Sequence, residues 1–141
     1  MTNEAYLSQP GILSRRITYH TERLQRMCRE ADAVSSRWGE ARGAGAYEAP
    51  YVRMLERIET GREELDRENE LLARLTAQAE ETIDRLPDEM MKLVLQYAYL
   101  EGMSYQQISD ILFIGKSTVR RWKERALACM TLPEEPIRIF C

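Results

Sequence analysis

Apolar residues recurring at intervals of seven constrain this chain more than any other feature. Ile17, Leu24, Ala31 and Trp38 form one row, and Leu13, His20, Met27 and Val34 form a second. Further on, Ile58, Leu65, Leu72, Ala79 and Leu86 repeat the spacing, with Leu55, Arg62, Asn69, Thr76 and Ile83 as a more polar companion row. A strand repeats every two residues, so only a helix keeps every seventh position on one stripe. The chain is therefore expected to be all-α, with helices over about 12–38 and 52–86. The loop between them, 39–50, is marked by Gly39, Gly43, Gly45 and Pro50.

Folded back on itself, the pattern pairs like with like as an antiparallel coiled-coil hairpin. Val34 meets Leu55, Ala31 meets Ile58, Leu24 meets Leu65 and Ile17 meets Leu72, while polar His20 faces polar Asn69. Met27 then meets Arg62. A polar layer of this kind fixes register at some cost in stability. Gly61 inside the second helix costs about 1 kcal/mol relative to alanine. Thr60 with Glu63 could cap a restart there. Two helices alone make a thin core, so a homo-oligomer is expected, a dimer first.

Composition narrows the function classes. A chain that is 44% hydrophobic and 30% charged is folded rather than disordered. Its net charge of −3 means that any nucleic-acid surface must be local. Nothing approaches the roughly 18 consecutive apolar residues of a membrane span. Glu4, Arg15 and Arg16 interrupt any leader-like stretch, so a cytoplasmic protein is expected. Cys28, Cys129 and Cys141 are far apart, and read as two buried thiols and one on a loose tail. With His20 as the single histidine, neither a metal site nor a cofactor is expected. No nucleophile–base pair or phosphate-cradling loop is present, so an enzyme is not expected either.

After Leu86 the pattern shortens. Pro87 is placed in the first turn of a new helix, whose stripe of Met90, Met91, Val94, Tyr97, Ala98 and Leu100 ends at Glu101-Gly102. Ser104 and Gln107 then make a capping box, and Tyr105, Ile108, Ile111 and Leu112 give the next helix a buried face. Phe113, Ile114 and Gly115 form a turn short enough to force a steep crossing. The last helix, about 116–130, turns Val119, Trp122, Ala126 and Cys129 inward. It carries Lys116, Arg120, Arg121, Lys123 and Arg125 against the single acid Glu124. Such a helix suits a major groove, where arginine forks reach base edges and lysine or hydroxyl groups meet phosphates. Residues 131–141 hold Pro133 and Pro136 and form a non-helical tail. Its alternating Ile137-Arg138-Ile139-Phe140 could dock on a neighbour as an extended segment.

Residues 86–130 resemble region 4 of sigma-70-family factors. They are more similar still to small phage and prophage regulators of the ArpU- and RinA-like group. The resemblance rests on Tyr99 to Gly102, Ser104-Tyr105, the Ile108/Ile111/Leu112 helix, Thr118-Val119 and Arg125 to Leu127. Ala98, Phe113 and Gly115 depart from it. It implies that Lys116, Ser117, Thr118 and Arg121 reach bases and that Arg120 and Lys123 hold the phosphate backbone. Glu124 completes the expected DNA-binding set.

Three parts are thus expected: a hairpin (1–85), a sigma region 4-like helix-turn-helix (86–130) and the tail. The expected function is a sequence-specific transcription regulator, phage or prophage encoded, with double-stranded DNA and RNA polymerase as partners. The alternative is an assembly module, a polymerase adaptor or DNA-packaging component, that works through the coiled coil.

Overall fold

A computed structural model describes residues 1–40 and 45–139. Among them the chain is all-helical, without a β-strand. The elements are α1 (Asn3–Glu40), α2 (Gly45–Asp84), α3 (Glu89–Leu95), a π-helical turn (Gln96–Leu100), α4 (Tyr105–Leu112) and α5 (Lys116–Cys129). They divide into two compact units, Met1–Ser14 with Leu71–Cys141, and Arg15–Glu70. Leu86, where long helices give way to short ones, is thus not where the units part. The start of α1 and the end of α2 belong with the short helices.

Both long helices outrun their expected bounds. The Thr2 hydroxyl accepts from the Ala5 amide at 3.0 Å, so α1 is capped well ahead of Ile12. Pro10 lies inside α1 and has no N–H to give to the Tyr6 carbonyl. The Gln9 side-chain amide approaches that oxygen instead, at 3.4 Å. Of the expected loop, residues 41–44 lie outside the described residues. Gly39 and Glu40 close α1, and Gly45 to Pro50 open α2. Alanine and glutamate at 46, 48 and 49 favour helix strongly enough to carry it up to Pro50. No restart occurs at Thr60, because α2 runs unbroken through Gly61.

The second unit is an antiparallel helix pair. Ala31 and Ile58, an expected pair, are both buried. They are its only buried apolar side chains among the described residues, a thin core. The polar layer is shifted by one residue from expectation. His20 Nδ1 lies 2.6 Å from Glu68 Oε1, and Arg16 Nε donates to Glu68 Oε2 at 3.1 Å. Asn69 points outward and donates to the Leu65 carbonyl of its own helix. A carboxylate accepts both groups at once and attracts a cation, which an amide cannot match. Arg62 likewise turns to Cys28 Sγ, at 3.9 Å.

In the first unit every α-helix contributes to the interior: Tyr6, Leu7 and Leu13; Leu75, Ala79 and Ile83; Val94 and Leu95; Ile108; Val119 and Ala126. Pro87 stands outside α3, whose N-cap is Asp88, accepting from the Met90 and Met91 amides. A carboxylate there serves two orphan N–H groups, so the proline sets only the approach. The tail residues 131–139 are non-helical and dock within their own unit. Gln78 donates to the Glu135 carbonyl at 3.0 Å and accepts from the Ile137 amide at 2.9 Å. Gln9, fully buried, donates to the Ile137 carbonyl at 2.8 Å and accepts from the Ile139 amide at 2.9 Å. Each carboxamide therefore bridges a carbonyl and the N–H two residues later, as the peptide group of a neighbouring parallel strand would.

Candidate nucleic-acid interface

The short helices close around Val94, Ile108 and Val119, each fully buried, with Met90, Tyr97, Ala98, Met103, Tyr105, Leu112, Ile114 and Trp122 packed against them. Three of these positions lie one each on α3, α4 and α5, so the three helices share one small core. The π-helical turn ends α3 with Glu101 N donating to Gln96 O and Met103 N to Tyr97 O. Gly102, at φ +65°, makes that reversal possible without a Cβ penalty. α4 then starts on the expected capping box: the Ser104 hydroxyl accepts from the Gln107 amide, and the Gln107 side chain accepts from the Ser104 amide.

The turn into α5 is held by one serine. Phe113 adopts the left-handed conformation, φ 56° and ψ 41°, and its amide donates to the Ser109 carbonyl. The Ile114 amide reaches the same carbonyl at 3.3 Å, and the Ser109 hydroxyl donates to the Ile114 carbonyl. Both backbone groups of Ile114 are thereby satisfied by Ser109. Gly115 is the N-cap of α5 and offers no side-chain acceptor to its first amides. Two residues expected inside are not. Ile111 is 42% exposed, and Cys129 is exposed near the end of α5. Leu112, expected on the same face as Ile111, does pack against the core, and Met130 is buried where Cys129 was expected. Cys28 is half-buried, and Cys141 lies outside the described residues.

The expected reading residues of α5 divide into two groups. Lys116, Ser117, Arg120, Arg121 and Glu124 are exposed, and Thr118 is half-buried. Arg120 Nε and Glu124 Oε1 approach to 4.0 Å across one helical turn, both well exposed, an ion pair weak enough to exchange for a phosphate. Arg125 stacks its guanidinium over Trp122, 5.6 Å from the ring centroid. Lys123 is directed inward. Its side chain is only 18% exposed, and Nζ donates to the Tyr105 hydroxyl at 3.1 Å. The ammonium also lies 5.3 Å from the Tyr99 ring centroid, 5.2 Å from that of Tyr105, and 3.8 Å from Glu4 Oε1. Burial alone would depress its pKa, but the Tyr105 hydrogen bond and the influence of Tyr99 outweigh that and raise it. Burial raises the Tyr99 phenol as well, against the opposing pull of Lys123. The Tyr99 hydroxyl has no hydrogen-bond partner among the described residues.

The other end of α5 is tied down by a residue that sequence reasoning passed over. Asn3 Nδ2 donates to the carbonyls of Leu127 at 2.6 Å and Met130 at 2.8 Å. Nothing in the spacing of Asn3 marks it, since its partners are more than a hundred residues away. Nor did the π-helical turn, which places Tyr99 beside Lys123, have a sequence signal.

A capped helix, a serine-clasped turn and a second helix with its opposite face buried define a helix-turn-helix domain. Residues 86–129 match the family model of the homeodomain-like domain, which supports a helix-turn-helix DNA-binding domain in this segment. No curated protein and no solved structure matches the chain. Among the described residues no helix is long and apolar enough to cross a membrane.

Proposed function

We propose that the chain is a sequence-specific DNA-binding transcription regulator that inserts the start of α5 into the major groove. The observation carrying this reading is the exposed run of Lys116, Ser117, Arg120 and Arg121, set directly after a fixed turn on a helix whose other face is buried. Its guanidinium forks are the groups that pair with guanine edges, and its first amides lack a side-chain cap and suit a phosphate oxygen. Arg121, Ser117 and Thr118 then face bases, and Lys116 and Arg120 face the backbone. Lys123 is left out of the contact set because its charge is spent on Tyr99, Tyr105 and Glu4.

The resemblance to sigma-70 region 4 and to the ArpU- and RinA-like regulators supports a phage or prophage setting, a cytoplasmic site of action and RNA polymerase as a further partner. The hairpin supports a homodimer: Tyr19, Val52 and Leu55 are large apolar side chains of that unit left exposed. The same residues favour a second reading, an assembly module that works through its coiled coil.

Selection of bound duplexes from a random pool separates the two. A recovered motif with defined symmetry is expected for a regulator and also reports the number of reading heads. Recovery of no motif at low salt would rule the regulator out.

A further inference from the structure

Phe113 is the least economical residue of the domain if folding alone is considered. It occupies the left-handed region at φ 56°, where a bulky residue is uncommon and glycine or asparagine sits at less cost. Its side chain is 93% exposed, so no packing compensates for the backbone. The backbone that carries the ring is nonetheless fixed, because Ser109 receives the amides of Phe113 and Ile114 and donates to the Ile114 carbonyl. Ile111, two positions earlier, is also largely exposed. An exposed aromatic on a strained but firmly held turn has the character of a contact made with something else.

Its surroundings favour an anionic partner. Between Asp110, which accepts from Gln106, and Glu124 the chain has no acidic residue, and Lys116, Ser117 and Arg120 lie exposed just beyond the turn. An apolar protein groove would need an acidic rim to match those cations, whereas the phosphates that flank every DNA groove pair with them directly. In a major groove the apolar feature within reach is the thymine C5-methyl group. Phe113 sits two residues ahead of the N-cap of α5, at the end of the helix that enters the groove.

We infer that Phe113 is a specificity residue whose ring lies against a thymine methyl at the edge of the site read by α5, an inference that rests on the DNA-binding reading above.

The test uses the full chain and its selected duplex, with each thymine replaced in turn by deoxyuridine, which lacks only the methyl. For the unmodified protein, replacement at one thymine near the edge of the motif is expected to weaken binding roughly fourfold, the worth of one buried methyl group. Phe113→Asn keeps a residue suited to the left-handed turn, so its thermal midpoint is expected to match or exceed that of the parent. The variant should bind the thymine duplex roughly tenfold more weakly, and it should no longer distinguish thymine from deoxyuridine at that position. Equal affinity of parent and Phe113→Asn, or the same deoxyuridine effect in both, overturns the inference and leaves the DNA-binding reading intact. Failure of the parent to select any duplex overturns that reading itself, and is seen before the variant is made.

Discussion

The side-chain amide of Asn3 lies 2.6 Å from the carbonyl oxygen of Leu127, so the first turn of the chain caps the last turn of α5. Its second bond, to Met130 O, satisfies another of the carbonyls that a helix end leaves open. Asn3→Ala is expected to lower stability by about 1–2 kcal/mol through loss of these bonds. Asn3→Asp should be worse than alanine, because a carboxylate cannot donate and would face the negative end of the helix. Chemical denaturation of the three proteins ranks them. An aspartate variant as stable as the parent would show that the contact does not hold in solution.

Lys123 and Tyr99 make stability dependent on alkaline pH. Both pKa values are raised in the folded chain, so both groups bind protons more tightly there than when unfolded. The stabilising contribution is then complete below the unfolded values, about pH 10, and is lost as pH climbs through the raised ones. Tyr6, also raised, by burial first, adds a loss of the same sign. Denaturation midpoints measured from about pH 8 to about pH 11 should fall for the parent and fall less for Lys123→Met. Tyr99→Phe removes a buried hydroxyl without a hydrogen-bond partner among the described residues, and at neutral pH it should be neutral or stabilising.

Gln9 and Gln78 hold the tail by its main chain. Replacing either with leucine leaves a carbonyl and an amide of the tail unpaired, and Gln78→Leu also strips the Tyr6 hydroxyl of its acceptor at 2.9 Å. Gln9→Leu and Gln78→Leu are therefore both expected to speed proteolysis within residues 131–139. Limited digestion followed by mass measurement reads this directly. Cleavage at the parent's rate in both variants would mean that the carboxamides do not secure the segment. Arg138→Ala, exposed on the same segment, is the control that should change nothing.

Gly61 offers a stabilising change. A Cβ added there would come within 3.1 Å of Leu24 Cδ1, the far end of a flexible side chain. Leu24 is half-buried and borders an open groove with His20, Met27 and Glu64, so it has room to give way. Gly61→Ala should then gain a part of the roughly 1 kcal/mol of helix propensity that glycine forfeits. A lower melting temperature for this variant would mean that Leu24 is held in place.

What was legible in the sequence was local or periodic. Seven-residue spacing is a property of one helix and its partner, which is why the all-helical architecture is evident and Ala31 and Ile58 are both buried, whereas Leu55, expected in the same seam, is exposed. The Ser104–Gln107 box is equally local, since both bonds span three residues. The helix bounds were less legible. Thr2 starts α1 ahead of the apolar pattern that begins near Ile12, and the alanines around Pro50 carry α2 into a stretch whose glycines and proline predict a loop. The seam was displaced because Glu68, unlike Asn69, accepts from two basic side chains at once. Least visible was everything that joins the chain's start to its end. Asn3 with Leu127, Glu4 with Lys123, and Gln9 with Ile137 have no periodic signature. The inward turn of Lys123 followed from those contacts, so a lysine counted on a basic face became part of the interior.

That turn yields the sharpest functional prediction, because Arg120, Arg121 and Lys123 are neighbours that should behave differently on DNA. Each phosphate contact contributes about −0.9 to the slope of log affinity against log salt. Arg120→Ala is expected to make that slope shallower by about this amount on every duplex. Lys123→Met should leave it unchanged, since its ammonium is engaged with Tyr99, Tyr105 and Glu4. Arg121→Ala should cost about 1–3 kcal/mol on the selected duplex and far less on an unrelated one, as expected of a residue that reads a base edge. Fluorescence anisotropy titrations at several salt concentrations, on one selected and one scrambled duplex, measure all three. A slope that changes with Lys123→Met as much as with Arg120→Ala would mean that the lysine swings out to a phosphate when DNA arrives.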